Sequence, residues 1–310
     1  MKDITRRDFL IGASALAVLA ACRSSKKPSL SHPDSMSAVL ADVSARGGVK
    51  DLNIFPGGDD FVPNVASYLG VGLIAGQSLV VGKPVTMWAA PLTEGTGAPL
   101  GPIIAPFYPY TKPEPAPAPQ GVNATTIRFT TAGVWQVYAE VEIDGHIHYN
   151  TAAVQVATHS PTRIPGQQAI ASQTPTVDDH RGVNPICTRS PMCPFHRVTL
   201  ARALSIRKPT LFYTGTPKWC QSRTCGPNLD ELIAASQTLG DRVSIIHSEV
   251  YRADSQEAVT RQLATPTFVQ WGFQGEPWLF IIDKTGTILS RFEGPLTASQ
   301  IRQAVQPILG

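Results

Sequence analysis

One stretch of this chain constrains the fold more than any other. Pro209 to Tyr213 (P-T-L-F-Y) is a short, uninterrupted apolar run, as expected of a buried strand. The loop T-G-T-P-K-W-C-Q-S-R-T-C-G-P follows, and then a segment from Pro227 to about Leu239 with Leu229, Leu232 and Ile233 on one helical face. Proline suits the first helical position, where its missing N–H has no intrahelical partner. A strand entering a cysteine-bearing loop and leaving as a helix predicts an α/β unit, with its chemistry at the strand–helix junction.

The elements downstream extend that prediction. Val243 to Val250 reads as a strand, and residues 256–270 as a helix interrupted near Pro266. Trp278 to Ile282 is a strand, Asp283 to Gly286 a turn, and Thr287 to Phe292 another strand. Thr297 caps a last helix with Ile301 and Val305 inward. The order β-α-β-α-β-β-α, with cysteines after the first strand, resembles the thioredoxin-like fold. Trp219-Cys220 and Cys225-Gly226-Pro227 echo the W-C-G-P-C site of thioredoxins, and Glu276-Pro277 stands where that family has its cis-proline, here Pro277. The resemblance implies a Cys220/Cys225 redox pair, with Cys220 attacking and Cys225 resolving. Here the spacing is C-x4-C, not C-x2-C, so the family's geometry and potential do not carry over. The reverse assignment of roles stays open, because Cys225 is nearer the helix start. A permanent staple is the other reading of the pair.

Local charge favours a reactive thiol. Lys218 and Arg223 flank the loop, no acidic residue falls between Pro217 and Leu229, and a helix N-terminus favours an anion. The P-x-x-x-T-x-x-C arrangement of peroxiredoxins is not matched by Thr214, Thr216 and Pro217.

A second cysteine pair lies upstream in C-T-R-S-P-M-C-P-F-H, from Cys187 to His196. A structural disulfide between Cys187 and Cys193 is expected; a second exchanging pair is an alternative. The C-P-x-H fragment resembles Sco-type copper chaperones. That resemblance implies a metal set of Cys193, His196, Cys220 and Cys225, although the Sco spacing is absent. The leading expectation is no metal and no cofactor.

The N-terminus reads as an export signal. Residues 4 to 10, I-T-R-R-D-F-L, resemble the twin-arginine motif, with Arg6 and Arg7 as the pair. The apolar stretch from Phe9 to Ala21 is short for a membrane span and suits a signal segment. It ends L-A-A-C at Cys22, which resembles a bacterial lipobox and implies lipidation of that cysteine. The expected location is the extracytoplasmic face of the cell membrane, held by lipid. Removing Cys22 leaves four of the five cysteines as two close pairs, as an oxidising compartment allows.

Residues 46–158 read as an all-β unit. Trp135, Val137, Ala139, Val141 and Ile143 share one strand face, and Asp144-Gly145 marks a two-residue hairpin. The G-x-W-x-V strand followed by a D-G hairpin resembles immunoglobulin-like modules and implies a sandwich. The proline-rich 113–119 belongs to a loop or an edge. His146 and His148 face one way, and a solvated strand face is expected of them. The predicted organisation is a signal (1–22), a tether (23–45), the immunoglobulin-like β-sandwich (46–158), a linker (159–186) able to drape over either domain, and an α/β thioredoxin-like domain (187–310). Net charge is only +3, without a basic run interleaved with aromatics, which argues against nucleic-acid binding. The expected function is thiol–disulfide oxidoreduction on thiol or disulfide protein partners. The alternatives are copper handling, or a non-catalytic binding lipoprotein in which both pairs are staples.

Overall fold

The computed structural model describes residues 32–93, 97–113, 115–116 and 118–309. Arg6, Arg7, Cys22 and the whole predicted signal segment lie outside the described residues. So does most of the predicted tether, but its end is a helix: α1 (Met36–Ala45) is capped by the Ser35 hydroxyl, which accepts from the Ala38 N–H at 3.2 Å. The assignment of 23–45 as tether is corrected there. Val39 and Val43, one turn apart, bury against Trp88, Tyr138 and Ile147.

Among the described residues the β unit has nine strands: β1 (Leu52–Pro56), β2 (Ser67–Ala75), β3 (Ser78–Leu79), β4 (Val85–Pro91), β5 (Leu100–Ala105), β6 (Phe107–Pro109), β7 (Gly121–Ile127), β8 (Gly133–Ile143) and β9 (His146–Val156). One sheet runs β1-β2-β7-β6, with β3 on β2; the other runs β5-β4-β8-β9. All pairings are antiparallel. Leu69, Val71 and Leu73 of β2 share a core with Trp135, Val137, Ala139 and Val141 of β8. Tyr138 points from the opposite face of β8 to α1. Asp144 (φ 50°) and Gly145 (φ 82°) form the two-residue turn between β8 and β9, with the positive φ at both positions that such turns need. His146 is exposed, whereas His148 pairs with Asp51 at 2.8 Å, so the face is not merely solvated.

The α/β unit contains α2 (Leu200–Ser205), β10 (Thr210–Thr214), α3 (Cys225–Leu239), β11 (Ser244–Ser248), α4 (Gln256–Thr260), α5 (Pro266–Trp271), β12 (Trp278–Ile282), β13 (Ile288–Glu293) and α6 (Ala298–Val305). Its sheet order is β11-β10-β12-β13, with β10 parallel to β11 and the other neighbours antiparallel. Leu211 and Tyr213 pack beneath α3 and α6 with Leu229, Leu232 and Ile301. Phe212 and Phe280 face the other way, toward Leu200 and Trp271. This is the mixed sheet with helices on both faces that the thioredoxin resemblance implies.

The predicted linker is an ordered strap along the α/β unit. The Gly166 N–H donates to Ile288 O at 2.8 Å and the Ala169 N–H to Gly286 O at 2.8 Å, extending the β13 edge. Trp271 Nε1 donates to Ser172 Oγ at 3.0 Å.

The two units are fastened together through buried polar contacts. Arg291 of β13 pairs with Asp60 at 2.9 Å, and their side chains are 4% and 9% exposed. The same guanidinium donates to Ser160 Oγ and to the Asp60 and Arg163 carbonyls. Glu231 of α3 accepts from the Thr111 N–H and from the Ala298 N–H at the start of α6. Gly294 (φ +84°) lies so close to Gly57 that a β-carbon there would sit 1.7 Å from the Gly57 carbonyl oxygen. Only glycine fits that approach.

Candidate functional site

Cys220 and Cys225 are joined by a disulfide at the mouth of α3. The junction follows from the local sequence: β10 ends at Thr214, the loop turns, and α3 starts at Cys225, with Pro227 in its first turn. Arg223 turns that loop with φ 59°, in the left-handed region, and its side chain is exposed. Gly215 is needed for its lack of a side chain, since a β-carbon there would come within 2.7 Å of Tyr213 Oη and 3.2 Å of Pro277 Cβ. The Glu276–Pro277 peptide is cis, immediately before β12.

The two sulfurs are not equivalent. Cys225 is fully buried and Cys220 is half-buried. The Cys225 N–H donates to Cys220 Sγ at 3.2 Å. The first free amide of α3 therefore points at the outer sulfur, where a thiolate released by reduction gains about 0.3–2 kcal/mol from the helix terminus. The better helix placement belongs to the sulfur of Cys220, although Cys225 is nearer in sequence. Ser222 Oγ adds a contact to Cys220 Sγ at 3.3 Å.

Two carboxylates come to the loop from far along the chain. Lys218 Nζ and Trp219 Nε1 both donate to Asp254, each at 2.8 Å. Lys218 thus has a local counter-charge from outside the loop, so the site is less positive than the loop's own residues imply. Its hydrogen bonds with Lys218 and Trp219 hold Asp254 below the usual carboxylate range. Glu276 lies with its carboxylate within 4.8 Å of both disulfide sulfurs. It accepts from the Thr216 N–H at 2.5 Å, and burial pushes its pKa up to about 7. An acid poised near neutrality beside a buried sulfur is equipped to exchange its proton. Reading Glu276 only as the neighbour of Pro277 missed this; the signal lay in its contact with the loop.

A cleft of about 430 Å³ opens beside the disulfide. Ser222, Thr224 and Glu276 line it from the α/β unit, and Phe55, Gly58 and Tyr110 from the β unit.

Cys187 and Cys193 are free and buried, so the expected bridge between them is not formed. Neither do Cys193 and His196 join Cys220 and Cys225, which corrects the copper set inferred from the C-P-x-H fragment. They group instead with Cys187 and His247 of β11, a buried cluster whose four donor atoms lie within 4.8 Å of one another. A hydrogen bond between the thiols holds Cys187 well down and Cys193 well up, with burial adding to the rise in Cys193. His247 was missed because a single histidine in an apolar strand reads as core.

No family model matches the chain, and no curated protein matches it. Among solved structures, a thiol:disulfide interchange protein of the thioredoxin family from Chlorobium tepidum TLS is 20% identical, covering 46% of this chain and 100% of its own, with a TM-score of 0.29. StoA from Bacillus subtilis is 18% identical, covering 32% and 82%, with a TM-score of 0.25. The PKD domain of an M14-like peptidase from Thermoplasmatales archaeon SCGC AB-540-F20 is 13% identical, covering 35% and 94%, with a TM-score of 0.18. At these levels the strand order and the site geometry carry the reading of the fold.

Proposed function

We propose that this protein is a thiol–disulfide oxidoreductase in which Cys220 exchanges with partner proteins and Cys225 resolves. The observation that carries the proposal is the pairing of a half-buried Cys220 sulfur, held by the first amide of α3, with a fully buried Cys225. A partner thiolate attacks Cys220 Sγ, the Cys220–Cys225 bond breaks, and a mixed disulfide forms on Cys220. Cys225 leaves as a thiolate and takes the proton of Glu276. The partner's second thiolate then attacks its own sulfur in the mixed disulfide, and Cys220 leaves as a thiolate. The partner is oxidised by two electrons and the protein reduced. Run backwards, the same steps reduce a partner disulfide, with Glu276 accepting the Cys225 proton. The cleft beside the disulfide is the surface on which the partner's chain lies.

The test is a redox titration of the full chain combined with a pH series. The pair should be more oxidising than about −300 mV, the level below which structural disulfides lie. Glu276 is protonated below about pH 7 and a carboxylate above it. Reduction of a partner disulfide needs the carboxylate, so resolution should quicken as pH rises through about 7. Glu276→Gln should erase that rise and leave the later one from the thiol itself. A potential far below −300 mV would make the bridge a staple, and an unchanged pH profile in the variant would remove Glu276 from the proton path.

The β unit serves this reading as an immunoglobulin-like scaffold that supplies one wall of the cleft. The N-terminal motifs support a location outside the cytoplasm, on a lipid anchor at Cys22. Cys22→Ser should release it from membranes or stall its processing; fractionation and migration identical to the natural protein would refute the anchor. No helix among the described residues is long and apolar enough to cross a membrane.

A further inference from the structure

We propose that Cys187, Cys193, His196 and His247 form a structural zinc site behind the Cys220 loop. All four residues are buried, at 7%, 2%, 1% and 0% exposure. Cys193 Sγ lies 3.3 Å from His196 Nε2 and 3.4 Å from His247 Nδ1. Cys187 Sγ lies 3.8 Å from His247 Nδ1, and the two ring nitrogens are 3.1 Å apart. Tetrahedral zinc, with Zn–S near 2.3 Å and Zn–N near 2.0–2.1 Å, places sulfur and nitrogen ligands about 3.6 Å apart and two nitrogens about 3.3–3.4 Å apart. The observed edges match that tetrahedron to a few tenths of an ångström.

The outer contact of His247 favours the same ion. His247 Nε2 faces the Gly215 carbonyl at 2.9 Å, which takes the ring proton and leaves the Nδ1 lone pair aimed into the cluster. His196 turns its Nε2 inward, while its Nδ1 is buried without a hydrogen-bond partner, so the outer contact is made by His247 and not by His196. Two sulfurs and two ring nitrogens thus converge at one point in a region closed to solvent. A doubly charged cation with two thiolates and two neutral imidazoles sums to zero charge. A neutral centre is what full burial tolerates. Two sulfurs with two imidazoles in a tetrahedron select zinc over hard cations, and four protein ligands leave no open position for a substrate. Three ligands come from the segment Cys187 to His196 and one from β11, so the ion would clamp that segment to the sheet. The clamp reaches the disulfide loop through Gly215, and through Thr188 Oγ1, which accepts from the Lys218 N–H at 3.2 Å. This proposal stands independently of exchange at Cys220 and Cys225.

The test is elemental analysis of the full chain purified without chelator, which should retain about one zinc per chain. Cobalt exchanged for it should give the visible absorption of a tetrahedral ion and thiolate-to-metal charge transfer. Cys187 and Cys193 should resist alkylation until a chelator is added. Cys193→Ser and His247→Gln should each weaken zinc binding by more than about 100-fold, beyond the effect of losing an outer partner. The alkylation and cobalt measurements need only the unaltered protein, so a variant that misfolds does not remove the test. Folded protein without metal, a Cys187–Cys193 disulfide found by mass mapping, or copper held in place of zinc would each overturn the proposal.

Discussion

Cys225→Ser will accumulate a mixed disulfide on Cys220, and Cys220→Ser will accumulate none. The asymmetry follows from where the sulfurs lie. Cys220 is half-buried, and its sulfur receives the Cys225 N–H at 3.2 Å. That amide belongs to the backbone, so it survives replacement of the Cys225 side chain. The outer thiolate of Cys225→Ser therefore still attacks a partner disulfide, and the partner then stays attached because no second sulfur expels it. In Cys220→Ser the remaining thiol is fully buried, under a loop that Tyr213 closes by donating its hydroxyl to the Cys225 carbonyl at 2.7 Å. Turnover in either variant should fall by more than about a thousandfold, on the order of 4 kcal/mol in the barrier. Non-reducing electrophoresis and mass spectrometry of the full chain measure the trapped species. Equal trapping by both variants would exchange or merge the roles, and trapping by neither would leave the pair without an exchange function.

Arg291→Met will cost about 3–5 kcal/mol of stability, the usual result of stripping one partner from a buried ion pair. Asp60 is the group left behind. Its Oδ2 loses the guanidinium at 2.9 Å and keeps only the Ser160 hydroxyl, and its Oδ1 is already buried without a partner. The Asp60 and Arg163 carbonyls lose donors as well. Adding Asp60→Leu should recover a large part of the loss, because an apolar pair of similar volume often replaces a buried ion pair at little cost. Urea unfolding followed by tryptophan fluorescence reads both effects. A loss below about 1 kcal/mol, the value of an exposed pair, would show that water reaches the contact.

The legible parts of the fold were those set by short-range periodicity. The alternation along β8, the D-G turn and the apolar runs of β10 and β12 each follow from residues within a few positions of one another. Helix α1 was legible too, through Ser35 as cap and Val39 and Val43 at i and i+4, but its position beside the predicted export segment argued for a tether. The site was half legible. Trp219, Cys220, Cys225 and Pro277 sit in contiguous fragments, whereas Asp254 and Glu276 reach the loop only through tertiary folding. Residue spacing also misdirected the reading of Cys187 and Cys193. Two cysteines with five residues between them suggest a bridge, but His247, 51 residues beyond His196, turns the pair into part of a four-donor cluster. Nothing local to β11 distinguishes that histidine from packing.

The cleft beside the disulfide has walls from two distant parts of the chain. Phe55, Gly58 and Tyr110 come from one unit, while Ser222, Thr224 and Glu276 come from the other, which also holds the sulfurs. Under the proposed function, choice of client therefore draws on residues of the β unit that the rate of electron exchange does not use. Drift at positions 55–59 can retune which proteins are admitted without touching the helix terminus that governs the sulfur. Transplanting the α/β unit alone would move the disulfide, strip one wall of the cleft and bare Arg291 to water.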